Sequence, residues 1–261
     1  MLPEPDKDLM RPLHARHDFQ PEKDTAPVSA PVFQQVREVI LQLVDQRRAS
    51  GTPRLPAERE LAALCRCYRL TLRDALIRLE NEGIIYRMNR SGWYITPARI
   101  CYNPAKVISF HDYVARQGRT VRTDVLSLTE VPAGEQIARL FGLPDVITPV
   151  WQLERRRLID GHPVMLERNI LSQAWCPTLD RETARGSITA YIASQYRHQL
   201  QHSDVEIASC TFDVTSAERI RARPGIAALS LQRFSLSGEG NIVEWDTELW
   251  RADAVKITLR I

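Results

Sequence analysis

The sequence predicts an α+β protein in two modules, an N-terminal helical unit closed by a β-hairpin and a C-terminal antiparallel sheet with helices. Three observations predict it. Apolar residues recur at helical spacing in successive stretches between Val36 and Leu79; two short β-type runs follow, up to Thr96; beyond Val107, strand-like alternation mixes with short helical patterns and never repeats. A length of 261 residues suits two domains, each with its own core.

Composition narrows the function. The chain sets 35 Lys and Arg against 32 Asp and Glu, a net charge of +3, so any nucleic-acid surface must come from local clustering of arginine. Five cysteines, an odd number, and no basic start followed by an apolar segment lead to the expectation of a cytoplasmic protein without a disulfide framework. Charges break every apolar run well short of the roughly 18 residues that a membrane span needs, so no membrane partner is expected. There is no GxSxG elbow, HExxH, P-loop or helix-opening GxGxxG, and neither a cofactor nor a catalytic residue is expected.

Six of the sixteen prolines fall within the first 31 residues, among alternating charges and without apolar periodicity, which predicts a disordered tail over 1–30. Val36, Val39, Ile40 and Leu43 then form the stripe of a first helix that stops before Ser50-Gly51. In "RLPAERELAALC", Pro56 opens a second helix with Glu58 and Glu60 in its first turn, and Leu61, Leu64 and Cys65 share its inner face. A third helix begins near Thr71, with Leu72, Ala75, Leu76 and Leu79 as its stripe and Gly83 as its stop. The runs Ile84 to Arg87 and Trp93 to Thr96, separated by Asn89, Ser91 and Gly92, read as a hairpin.

Three helices, a tight turn between the second and third, and a hairpin describe a winged helix-turn-helix over 31–98, whose third helix enters the major groove. Thr71 and Arg73 lie near the start of that helix, off its apolar stripe, where side chains reach base edges. Arg69 and Arg59 are placed for phosphates or bases, and Asn89 and Arg90 form the wing tip. An isolated cluster of arginines would read as a solvated helix face; the fold pattern favours DNA. Cys65 and Cys67, alone a weak metal or redox signal, fall in register with the inner face as small buried hydrophobes.

The stretch "LPAERELAALCRCYRLTLRDALIRLENEGIIYRMNRSGWYI" resembles the DNA-binding domain of GntR-family bacterial transcription regulators. The resemblance implies that Arg59, Arg69, Thr71, Arg73, Asn89 and Arg90 occupy DNA-contact positions. The sequence departs from the family pattern at Arg66, where the turn usually has Gly, at Tyr68 in place of Ser, and at Arg90, where the wing has its first Gly.

Past Thr96, Tyr102-Asn103-Pro104 reads as a linker over 99–106, before a second domain over 107–261. "PAGEQIARLFGLPD", "GSITAYIASQYRHQL" and "TSAERIRARPG" read as helices. "VWQLERRRLIDGHPVMLERNI" is a hairpin hinged at Asp160-Gly161; its alternation puts Gln152, Glu154 and Arg156 on one face and Trp151, Leu153, Arg155, Arg157 and Ile159 on the other. Two guanidiniums among residues that should be buried need partners, which protein carboxylates or an anionic ligand can supply. Glu244, Asp246 and Glu248 alternate onto one face with Trp250, so acids in the same pocket would suit a zwitterion. His198 and His202, four apart, could ligate a metal, yet no third ligand is evident and no metal site is expected.

From Val107 to Ile261 the chain is similar to the UTRA effector-binding domain of the HutC subfamily, whose fold resembles chorismate lyase. "SFHDYVARQGRTVRTDVLS", "RRRLIDGHPV", "GSITAYI" and "NIVEWDTELWRAD" carry the similarity, and the opening and ending look most like phosphonate-linked regulators. The resemblance implies that Arg155 and Arg157 hold an effector's anionic group, that Thr123 and Ser187 assist with hydroxyls, and that Glu244 and Trp250 take pocket positions. It also implies a homodimer on a palindromic double-stranded DNA operator, most often a repressor, answering to a small anionic or zwitterionic metabolite. The alternatives are an enzymatic C-terminal domain, as in its fold relative, and a non-specific architectural DNA-binding protein.

Overall fold

A computed structural model describes residues 30–88, 91–106, 108–196 and 200–259. Residues 1–29 of the expected tail, the wing-tip residues Asn89 and Arg90, and His198 lie outside the described residues.

The N-terminal module is built from α1 (Ala30–Ala49), α2 (Glu58–Leu64), α3 (Arg69–Asn81) and the antiparallel strands β1 (Ile85–Met88) and β2 (Gly92–Ile95). Its core joins Val36, Ile40 and Val44 of α1 to Leu61 and to Leu72, Ala75, Leu76 and Leu79 of α3, with Trp93 and Ile95 closing it from β2. The wing is fastened to α2, because the Trp93 indole donates a 3.0 Å hydrogen bond to Glu58. Two details differ from expectation. α2 is so short that only Leu61 turns fully inward, and Leu64, its last residue, is 58% exposed rather than on the inner face. α3 starts at Arg69, before Thr71, and its buried arc takes in Thr71 and Glu80 as well as the apolar stripe. Arg66, in the turn before α3, adopts a left-handed φ of 49°, and Gly83 ends the helix segment with φ 73°.

The segment expected as a linker is structured. β3 (Ile100–Tyr102) pairs in parallel with β10 (Val255–Ile257), burying Ile100 and Tyr102 and leaving Cys101 outside. A three-residue strand is too short to show its period-two alternation against background, and its partner lies at the far end of the chain.

The C-terminal module is one six-stranded antiparallel sheet of β4 (Val121–Pro132), β5 (Pro149–Ile159), β6 (His162–Ser172), β7 (Gln201–Thr211), β8 (Ala227–Leu236) and β9 (Ile242–Arg251), ordered β4-β5-β6-β9-β8-β7. The β5-β6 hairpin turns at Asp160 and Gly161, both at positive φ of 48° and 78°, the twist-matched turn that Asp-Gly favours. α4 (Phe110–Ala115) and α6 (Ile188–Tyr196) cover one face, packing Val114 against Trp250 and Ile188 and Ile192 against Leu153 and Leu171. α5 (Gly134–Phe141) and α7 (Val214–Ile220) lie on the other, against Ile170, Leu166 and Leu249. α5 and α6 fall within the stretches that predict them, and α7 begins one residue before its stretch; α4 and a 3-10 turn at Thr183–Arg185 are additional.

The modules meet along α3 and β1. Glu80 pairs with Arg223, the Tyr86 ring lies 3.8 Å from the His162 ring, and Arg251 sits 5.5 Å over Tyr86. Gly83 is required here: a Cβ would meet that of Asp253 at 3.0 Å.

Candidate DNA-contact face and effector cavity

Arg59, Arg66, Arg69 and Arg73 are all exposed, on α2, in the turn and on the first turns of α3. The Arg73 guanidinium lies 3.4 Å from the same Glu58 carboxylate that accepts the Trp93 indole, so α2, α3 and the wing converge on one acid. Thr71 differs from expectation. It is 7% exposed, because it sits one turn before Ala75 and belongs to the buried arc, so it presents no free surface for a base edge. Sequence reasoning passed over Tyr68 and Leu70, which are 87% and 68% exposed beside Arg69. Apolar groups among arginines at a recognition-helix start can pack on thymine methyls while the guanidiniums bond guanine or phosphate. Cys65 and Cys67 pack against the helical core, and burial pushes the Cys65 thiol up to about 11, which keeps it from acting as a thiolate.

The second site is a cavity of about 280 Å³ between the sheet and its α4-α6 cover, lined by Thr123, Arg155, Arg157, Glu167, Ser187 and Glu244 among others. Alternation on β5 aims Arg155 and Arg157 at it from neighbouring rows. Arg155, 2% exposed, donates to Glu167 at 2.8 Å, to Asn169 at 3.1 Å and to the carbonyls of Ala184 and Gly186. Arg157 donates to the other Glu167 oxygen at 2.7 Å and to the Thr123 hydroxyl at 2.8 Å, with its guanidinium 5.2 Å over Phe110. Of the partners that the sequence left open, the protein carboxylate is present: Glu167 bonds both arginines, which also line the cavity. Ser187 caps α6, accepting from the Ala190 N–H at 3.1 Å, so a helix N-terminus joins the guanidiniums on the same wall.

The opposite side is acidic. Arg233 bonds Asp246 at 2.7 Å, Glu248 at 2.6 Å and the Tyr102 hydroxyl at 2.7 Å. Glu244 receives the Asn169 amide at 2.8 Å and the Ser235 hydroxyl at 2.9 Å. Trp250 does not line the cavity; it packs beneath, with Tyr102 and Phe110, and donates to Glu248 at 2.6 Å. His202 does line it, from β7.

Burial works against every charge here, and pairing decides which survives. Burial raises the Glu167 pKa, but Arg155 and Arg157 outweigh it and bring the carboxyl down to about 2. For Asp246 burial wins over Arg233 and holds the carboxyl well above its usual range; Glu244 is also raised by burial. Burial and Arg233 hold His202 neutral, with its pKa down to about 4.

Glu167, Asn169 and Arg233 were missed. Glu167 stands opposite Arg155 in the hairpin, but a register shift between Arg157 and Leu158 moves the pairing by one residue, so counting from Asp160-Gly161 would have named Leu166 instead. Arg233 could not be found by counting either, because β8 reaches the site through sheet order alone. A larger groove of about 600 Å³ lies on the other face, between α5 and α7, where Arg168 and Arg219 converge on Glu154.

A helix-turn-helix presenting arginines, joined to a sheet domain that encloses a charged cavity, defines a transcriptional regulator with a DNA-binding head and an effector domain. Residues 33–95 match the family of "Bacterial regulatory proteins, gntR family", and residues 116–256 match the UTRA domain. The chain belongs to the UTRA-domain family and carries a gntR-family DNA-binding domain ahead of its UTRA domain. It is 27% identical over 214 residues to the HTH-type transcriptional regulator YihL of Escherichia coli (strain K12), covering 80% of this chain and 88% of that one. It is 21% identical over 223 residues to the HTH-type transcriptional repressor NagR of Bacillus subtilis, covering 85% of this chain and 91% of that one. The crystal structure of PhnF from Mycobacterium smegmatis superposes with a TM-score of 0.56 at 25% identity, over 87% of this chain and 98% of that one. Among the described residues no helix is long and apolar enough to cross a membrane.

Proposed function

We propose that the protein is a homodimeric, cytoplasmic repressor that binds a palindromic operator and changes its operator affinity when a small anionic or zwitterionic metabolite enters the UTRA cavity. The observation that carries this reading is the wall where Arg155, Arg157, Thr123 and the capped start of α6 meet one enclosed space. Such a wall suits a carboxylate, phosphate or phosphonate head, bonded by planar guanidinium donors and a helix N-terminus. The NagR likeness supports repression, and the sequence resemblance to phosphonate-linked regulators favours a phosphonate. On this reading the cavity binds and releases its ligand unchanged, and the DNA-contact residues are Arg59, Arg69 and Arg73 with the wing residues Asn89 and Arg90.

Control requires that the metabolite bind one arrangement of the two heads more tightly than the other. The test titrates the full chain against DNA from upstream of its own gene and against random DNA, with and without inorganic phosphate, phosphonates and short carboxylates. Preference for one DNA that shifts with one class of anion, and that Arg157→Ala renders insensitive, is the expected result. Equal affinity for all DNA, or indifference to every anion, overturns it.

A further inference from the structure

The junction between the two domains holds a second hollow, which shares no lining residue with the UTRA cavity. It is a cleft of about 650 Å³ between the wing, the end of α1 and the β5-β6 turn, within the usual size range of small-molecule sites, which favour domain interfaces. One wall is a column of rings. Tyr94 stacks on Tyr86 with centroids 5.5 Å apart and planes at 23°, and Tyr86 continues onto His162 of the UTRA domain at 3.8 Å. Tyr86 and His162 are buried, whereas Tyr94 and Met88, which also line the cleft, are half-buried.

Apart from the tyrosines, the ionisable groups lining this cleft are Arg47, Arg48, Asp160 and His162. The acid is engaged: Asp160 pairs with Arg119 and accepts from the N–H and the hydroxyl of Thr120, both at 2.8 Å. Burial keeps His162 neutral. Arg47 gives Nη1 to the Arg54 carbonyl at 2.6 Å, Arg48 is exposed, and neither has an ion pair among the described residues. The carbonyls of Gln46, Arg47 and Arg48 at the end of α1 are taken by the N–H groups of Ser50, Thr52 and Gly51, so they do not hold the guanidiniums. The cleft therefore joins an aromatic wall to a positive rim. An inorganic anion would leave the wall uncovered, and a neutral ring would leave the rim without its counter-charge; a flat ring that carries an acid group meets both.

We propose that this cleft is a second ligand site, taking a planar aromatic acid whose ring packs on Tyr94 and Met88 and whose carboxylate meets Arg48 and Arg47. Such a ligand touches both domains at once, because Arg48 and Tyr94 belong to the head while Gly161 and His162 belong to the UTRA domain. It binds where the head is docked against the β5-β6 turn, and by linkage it favours that arrangement over any other. The regulator thereby gains a second input: a molecule in the cleft biases the position of the DNA-binding head without entering the UTRA cavity. That consequence rests on the reading of the chain as an effector-controlled regulator; the binding itself does not.

The experiment titrates the full-length protein by calorimetry, without DNA, against two matched pairs, indole-3-acetate with indole-3-acetamide and phenylacetate with phenylacetamide, and against hexanoate as an acid without a ring. In at least one pair the acid should bind more than about tenfold tighter than its amide, the size of one charge-assisted contact, and tighter than hexanoate. Arg48 is exposed, so its replacement leaves the fold intact. Arg48→Glu should remove the advantage of the acid over the amide, and Arg48→Lys, which keeps the charge, should retain most of it. An acid that binds no tighter than its amide in both pairs, or no tighter than hexanoate, overturns the assignment. An advantage that survives Arg48→Glu places the ligand elsewhere, the UTRA cavity included, and overturns it as well. Since no DNA is present, either failure leaves the proposed control of operator binding standing, and that control fails on its own test.

Discussion

Arg223, in the loop after α7, donates to Oε2 of Glu80 on α3 through both Nε, at 2.9 Å, and Nη2, while Oε1 of the same carboxylate accepts the Arg87 N–H of the wing at 3.0 Å. One buried acid on the recognition helix thus holds the wing with one oxygen and the UTRA domain with the other. Removing Arg223 leaves half of that carboxylate unsatisfied in a largely dry position, which costs about 1–3 kcal/mol. Arg223→Ala is expected to lower the denaturant midpoint by that amount. It is also expected to shrink the effect of ligand on DNA affinity, because the head loses its ion pair to the ligand-binding domain. Unchanged coupling in a folded variant would remove Glu80 from the path between the two sites.

Arg66 occupies a left-handed position where L-residues other than Asn and Asp are disfavoured. Its side chain is exposed and makes no hydrogen bond among the described residues, although its N–H donates to the Ala63 carbonyl at 3.2 Å. Glycine there relieves about 1–2 kcal/mol of backbone cost and gives back about 0.5–1 kcal/mol of unfolded-chain entropy. Arg66→Gly should therefore raise stability by roughly 0.5–1 kcal/mol, read as a higher denaturant midpoint at constant slope. A lower midpoint would mean that the Arg66 side chain contributes a stabilising contact of its own.

The helix-turn-helix was legible because its signals are local: stripes at helical spacing, Pro56 at a start, Gly83 at a stop. Errors arose at the edges of those patterns. Thr71 looks like a surface residue when the stripe is drawn through leucines alone, yet the buried arc is wide enough to include it, and Leu64 fails because α2 ends beneath it. In the second domain the β5-β6 hairpin disclosed its own faces through period-two alternation, and with them Arg155 and Arg157. The rest of the cavity depends on which distant strands become neighbours. That Arg233 serves Asp246 and Glu248, or that Tyr102 from the supposed linker joins them, follows from sheet order and from the β3-β10 pair, which leave no mark within a short window.

Arg73 and Arg69 should separate base reading from phosphate grip. Arg73 is steadied by Glu58 at 3.4 Å, which orients its guanidinium at the face of α3, whereas Arg69 is exposed at the helix start with no ion pair among the described residues. Arg73→Ala is expected to reduce the preference for operator over random DNA by about 1–3 kcal/mol while leaving ligand binding unchanged. Arg69→Ala should weaken both DNAs alike and lower the salt slope of binding by about one. Binding isotherms for both DNAs over a range of salt distinguish the two, and an equal loss of preference in both variants would place both residues on base edges.

His162 makes the stability of the molecule depend on pH. It is buried against Tyr86 at the junction, neither ring nitrogen has a hydrogen-bond partner, and burial together with Arg251 and Arg119 holds its pKa well below 6.5. The unfolded chain takes up a proton near pH 6.5 and the folded chain does not, so stability from the neutral ring is complete above that pH and is lost as the pH falls toward the folded value. One such group costs about 1.4 kcal/mol per pH unit below 6.5. His202, brought down to about 4 by burial and Arg233, adds a parallel loss that ends near that pH. Phe at position 162 keeps a ring against Tyr86 and cannot titrate. In His162→Phe the fall in unfolding free energy between about pH 6 and pH 5 should be less by roughly 1.4 kcal/mol per pH unit than in the wild-type chain, the other titrating groups acting alike in both. A slope identical to that of the wild-type chain would mean that His162 binds its proton equally well in the folded protein, and that the contact between head and UTRA domain opens to admit it.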